Sequence, residues 1–96
     1  MAYKISKEAV KDLTDIGKYT EQVWGKAQRR RYLSLLEKKF NAVSERPLQN
    51  RERFEFHPPV RIQHFLAHLI VYLVITDGIL IVRVLHKNMA IENQLV

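Results

Sequence analysis

Apolar residues dominate two neighbouring stretches of the chain, HLIVYLVIT from His68 and ILIVRVLHK from Ile79, with Asp77-Gly78 between them. Asp-Gly flanked by β-branched runs is a strong hairpin signal, since a two-residue type I′ turn needs positive φ at both centres. A turn at Asp77-Gly78 sets Ile75 opposite Leu80, Leu73 opposite Val82, Val71 opposite Val84 and Leu69 opposite His86. These pairs share a face that is apolar except for His86, and this face is expected to carry the core. The other face pairs His68 with Lys87, Ile70 with Leu85, Tyr72 with Arg83 and Val74 with Ile81. It mixes aliphatic residues with cations, a phenol and an imidazole, and is expected to lie open as the functional surface.

The remaining pattern supplies a cover for the apolar face. Tyr3-Lys4-Ile5 alternates and predicts a short strand. Ser6 offers an N-cap and Glu8 suits the positive end of a helix dipole. Ala9, Leu13, Ile16, Thr20 and Val23 or Trp24 then recur at helical steps up to a stop at Gly25. A second helix is predicted from about Lys26 to Glu45, with Tyr32, Leu36, Phe40 and Val43 as its stripe and Leu33 and Leu35 widening it. Pro47 bars further helix. One glycine between two long amphipathic helices predicts an antiparallel helical hairpin.

Residues 47–59 are irregular, with Phe54 and Phe56 alternating with charge as a possible short edge strand. Val60–Phe65 alternates and should pair with the hairpin; a tight connection at Leu66-Ala67 sets Arg61 beside Tyr72 and Arg83. The segment after Lys87 has room for one or two helical turns. The expected fold is one α+β domain spanning residues 1–96, β-α-α-β-β-β, with the helical pair on one face of a mainly antiparallel sheet.

Composition narrows the class. Ninety-six residues without cysteine exclude a disulfide framework and a thiolate metal site. No run is long enough to span a bilayer as a helix, and the N-terminus lacks a charged-then-apolar leader pattern, so a cytoplasmic chain with no membrane partner is expected. A net charge of +6 points to an anionic partner or to a solvated basic surface. Lys26, Arg29, Arg30 and Arg31 crowd the start of the second helix, yet no aromatic residue is interleaved to stack bases, so direct nucleic-acid binding is not expected.

Four histidines, His57, His64, His68 and His86, lack the spacing of a metal-binding pair, and neither metal nor cofactor is expected. Arg61, Tyr72 and Arg83 contain the parts for RNA cleavage by an internal hydroxyl, a phosphate clamp and a proton shuttle, with His68 and Lys87 as neighbours. The same trio also suits a structural cation–π contact or protein recognition, and the balance favours these two over chemistry. No catalytic residue is assigned.

Taken together, Tyr3-Lys4-Ile5-Ser6, Asp12-Leu13, Tyr19-Thr20, Trp24-Gly25, Pro47, Arg61, the strand His68–Tyr72 and above all Arg83-Val84-Leu85-His86-Lys87-Asn88-Met89 make the chain resemble the RelE/ParE superfamily of small bacterial toxins, its ParE branch more closely. It departs where Gln49-Asn50 replaces a loop glycine, where Pro59-Val60 precedes Arg61, and where Ala90 replaces an aspartate. The resemblance implies a non-enzymatic toxin that poisons DNA gyrase and blocks replication, neutralised by a ParD-like antitoxin in a hetero-oligomer. In the RelE branch the implied activity is ribosome-dependent mRNA cleavage with a catalytic residue near the C-terminus. The tail Ile91–Val96 has no tyrosine or histidine, and its one acid is Glu92. A disordered acidic antitoxin segment would suit a basic surface with exposed apolar positions. The expected partner-binding set is Arg61, His68, Ile70, Tyr72, Val74, Ile81, Arg83, Leu85, Lys87 and Met89.

Overall fold

The computed structural model describes residues 2–89 and 91–95, and of Glu92 the backbone alone. The expectations attached to Ala90, Val96 and the Glu92 side chain therefore lie outside the described residues. The elements run β1 (Ala2–Ile5), α1 (Lys7–Trp24), α2 (Lys26–Glu45), β2 (Glu52–Arg53), β3 (Val60–Phe65), β4 (His68–Ile75), β5 (Gly78–His86) and α3 (Ile91–Gln94). The five strands form one sheet in the order β1-β5-β4-β3-β2. The α+β arrangement is the expected one, with a two-residue edge strand and a single closing helical turn added.

Both long helices begin and end where their signals lie. Ser6 caps α1, its Oγ accepting from the Ala9 amide at 3.0 Å. The same hydroxyl donates to the Val82 carbonyl at 2.8 Å, so the cap also fastens the helix to β5. Gly25 takes φ +91° between the helices, a left-handed conformation that few side chains tolerate. The α1 stripe ends at buried Thr20, however, and Val23 and Trp24 are exposed.

The β4–β5 hairpin differs from its sequence reading in turn, register and face. Ile75 pairs with Gly78, so Thr76-Asp77 is the loop and the glycine is already strand. What demands a glycine at position 78 is β1, which pairs in parallel with β5 (Ala2 opposite Gly78). A Cβ on Gly78 would sit 1.8 Å from the Ala2 carbonyl oxygen. The register then shifts by one between Val71 and Tyr72, because Tyr72 faces Ile81 whereas Val71 faces Arg83. This β-bulge at Val82 moves every later β5 side chain to the opposite face. Val84 accordingly lies opposite Ile70, Leu85 opposite Leu69, and His86 opposite His68.

The helices cover the face expected to be open. Ala9, Leu36, Phe40 and Val43 pack on Ile70, Tyr72, Ile79, Ile81 and Val84. The other face, expected beneath the helices, is covered by Phe56 of the irregular segment and by Ile91 and Leu95 of the tail, which pack with Val60, Ile62, Leu69, Val71 and Leu85. The mixed face can be buried because its polar atoms find partners. The Tyr72 hydroxyl donates to the Pro47 carbonyl at 2.7 Å and accepts from Asn50 Nδ2 at 3.2 Å. Asn50, at one of the positions that depart from the toxin pattern, also donates to Gln63 Oε1 at 2.9 Å. Arg61 lies opposite Tyr72 as a tight Leu66-Ala67 connection required, and donates to the Asn50 carbonyl. Phe54 is exposed and Phe56 buried, and the edge strand falls just before them.

Candidate partner-docking groove

β1 lines β5 only as far as Ile81, so the outer edge of β5 beyond that point has no strand neighbour among the described residues. An open strand edge offers unpaired backbone groups and is normally managed by its surroundings. Here α1 runs alongside, and Asp12 turns inward to manage part of the edge. Its Oδ2 accepts from the Val84 amide at 2.9 Å. Both its oxygens take the Arg83 guanidinium, at 2.7 Å to Nε and 2.9 Å to Nη2. Arg83 Nη1 also donates to the Gln94 carbonyl at 3.1 Å, tying α1, β5 and the tail at one point. The bond to Asp12 pushes the Arg83 pKa further up. A bidentate pair of this kind is stronger than a single charged contact.

Between the helix and the strand edge lies a cavity of about 640 Å³. Ile16, Tyr19 and Thr20 of α1 form one wall, Trp24 and Tyr32 close its end, and Val84, His68 and His86 make the floor. Three large apolar side chains stand exposed around it: Trp24 at 70%, Tyr19 at 64% and Met89 at 47%. Side chains of this size clustered on one rim mark an interaction surface.

The polar part of the floor is a bonded chain. The Tyr32 hydroxyl and His68 Nδ1 share a hydrogen bond of 2.6 Å. Burial pushes the Tyr32 pKa up. Burial first, and then the neighbouring His86, lower the His68 pKa to about 4. The two imidazoles meet edge to face, ring centres 5.5 Å apart. His86 Nδ1 accepts from the Asn88 amide at 3.2 Å. Since the Asn88 amide donates into it, the His86 Nδ1 carries no proton and the ring proton sits on Nε2.

Of the expected partner-binding residues, the groove gathers His68 and Met89. Ile70, Tyr72 and Ile81 are sealed beneath the helices, and Leu85 is buried against the Phe56 and tail cluster, so these four offer no surface. Arg61 and Arg83 are part-buried and bonded within the fold. Val74 and Lys87 are exposed outside the groove lining. Sequence reasoning passes over Tyr19, Trp24 and Tyr32 as site residues, and places His86 on the face expected to carry the core. The available signal was Tyr19, a large aromatic lying off the buried α1 stripe. Among the described residues no group of three or more potential ligands is placed to hold a metal, and no helix is long and apolar enough to cross a membrane.

Comparison with known proteins supports one family throughout. Residues 3–91 match the family model described as ParE toxin of type II toxin-antitoxin system, parDE. The chain is similar to Toxin ParE of Escherichia coli, at 30% identity over 95 residues that cover 98% of this chain and 92% of that protein. Its fold is similar to a chain of the chromosomal ParDE TA system from P. aeruginosa, with a TM-score of 0.76 and 18% identity, covering 90% of this chain and 95% of that one. The sequence match over nearly its full length, carried on the same fold, places this chain in the ParE toxin family of type II toxin–antitoxin systems.

Proposed function

We propose that this chain arrests growth by inhibiting DNA gyrase as a protein ligand, not as an enzyme, and thereby blocks replication in the cytoplasm. A ParD-like antitoxin restrains it in a toxin–antitoxin hetero-oligomer, with an apolar antitoxin segment seated in the groove between α1 and the outer edge of β5. The observation that carries the antitoxin reading is the groove itself: an aromatic-rimmed cavity beside an open strand edge. A free surface with Trp24, Tyr19 and Met89 on its rim suits a partner that folds as it binds. Family membership supports gyrase as the target. The side chains best suited to RNA chemistry are occupied elsewhere, since Tyr72 is buried and bonded to Pro47 and Arg83 is held by Asp12, and this favours inhibition over cleavage.

The test is to add the purified chain to gyrase and supercoiled plasmid, and separately to translating ribosomes with message. Accumulation of cleaved DNA, abolished by prior addition of the antitoxin, is the expected result. Codon-positioned cuts in the message with intact plasmid would overturn the proposal.

A further inference from the structure

The floor of the groove is a polar device within an otherwise apolar cavity. His86 receives a hydrogen bond at Nδ1 from the backbone amide of Asn88, and His68 Nδ1 is hydrogen-bonded to the Tyr32 hydroxyl. The His86 Nε2 is thereby fixed as a donor, and with the phenol as donor the His68 Nε2 is one as well. Among the described residues no buried side-chain nitrogen or oxygen lacks a partner. The Nε2 atoms of His68 and His86, both on the groove lining, are therefore open to whatever occupies it. A neutral donor on an apolar floor costs nothing while it faces water, but covering it without an acceptor leaves an unsatisfied group.

We infer that the His68–His86 pair is a recognition element of the groove, requiring its occupant to be an amphipathic segment that sets a carboxylate oxygen against the imidazole Nε2–H groups while its apolar side chains fill the cavity. This inference rests on the groove being the antitoxin's seat. Charge complementarity selects a carboxylate over a neutral acceptor. The chain carries +6. The two acids of the groove wall are already engaged, Asp12 by Arg83 and the Val84 amide, and Asp15 by Lys11 at 2.9 Å. Lys87 stands exposed next to His86. The remaining titratable group against the pair is the Tyr32 phenol of α2, which is hydrogen-bonded to His68. A purely apolar segment of equal size would leave the donors stranded, so the pair also discriminates against non-cognate apolar peptides.

The experiment uses the full chain and the complex with its ParD-like antitoxin. Long-range nitrogen NMR on histidine-labelled toxin should show both rings with the proton on Nε2 in the free chain. In the complex at least one Nε2–H should become slow to exchange and move downfield. His86→Gln, which keeps an N–H donor near the Nε2 position, should bind within about 3-fold of the parent. His86→Leu, which makes the floor more apolar, should bind about 10- to 100-fold more weakly, as for loss of a hydrogen bond to a charged acceptor. Unchanged or tighter binding by His86→Leu, or Nε2 protons that still exchange rapidly in the complex, would overturn the inference. Trp24→Ala separates the two levels of the argument. If it leaves antitoxin affinity unaltered, the groove is not the seat; if it weakens binding while His86→Leu does not, the groove stands and the recognition role of the histidines falls.

Discussion

The two faces of the sheet differ in chemistry and in cover, and in the opposite sense from what polarity suggests. The face carrying Tyr72, His68 and Arg61 lies under two long helices, with Tyr72, Ile70, Ile79 and Ile81 fully buried. The face made almost wholly of Leu69, Val71, Leu73, Leu80, Val82 and Leu85 is covered by one phenylalanine and a single helical turn, and Leu73 and Val82 stay part-exposed. Polar side chains do not mark a surface when their atoms are bonded, and apolar ones do not guarantee deep burial. The helix-covered face should hold most of the folding energy, while the other face holds little.

Substitutions rank this contrast. Phe40→Ala, under the helices, should cost about 3–5 kcal/mol and bring the chain close to unfolding, read as a shift in the urea midpoint. Replacing Arg83 with methionine leaves the Asp12 carboxylate without its countercharge and the Gln94 carbonyl without its donor, and should cost about 2–4 kcal/mol, somewhat below a fully buried pair because both partners keep some exposure. Tyr72→Phe removes the hydroxyl shared by Pro47 and Asn50 and should cost about 1–2 kcal/mol, with faster amide exchange in residues 47–51.

The next effect is smaller and depends on pH. His68 titrates near 4 in the folded chain and near 6.5 when unfolded. Between those values the unfolded chain binds the extra proton, so stability is complete above pH 6.5 and is lost as pH falls towards 4. Because His68 keeps part of its surface in solvent, the loss should stay below about 2 kcal/mol. It should appear as a drop in Tm that a His68→Gln variant shows less steeply than the parent. Ile91→Ala on the lightly covered face ranks last, at about 1 kcal/mol or less. An Ile91→Ala cost equal to that of Phe40→Ala would erase the contrast between the faces.

Much of the architecture was legible in the residues. The cap at Ser6, the break at Gly25, both helix spans and the pairing of Arg61 with Tyr72 follow from local chemistry and one tight connection. The hairpin was not legible in the same way, because Gly78 answers two different needs. Asp-Gly reads as a turn, yet the glycine exists because the β1 backbone passes against it. The bulge at Val82 has no residue signature, and a one-residue slip exchanges the faces of all that follow. Nor does Tyr72 announce its burial, since its partners Pro47 and Asn50 come from the least regular segment. The groove was partly visible through His68 and Met89, but Trp24 and Tyr19 join them only once α1 is laid beside β5.

Trp24 is the chain's one tryptophan and stands on the rim of the groove, so it reports directly on whether that cavity is the docking surface. On addition of the antitoxin its emission should shift to the blue and become protected from acrylamide quenching, with saturation at the stoichiometry of the complex. Emission and quenching that stay unchanged while the complex forms would contradict the account.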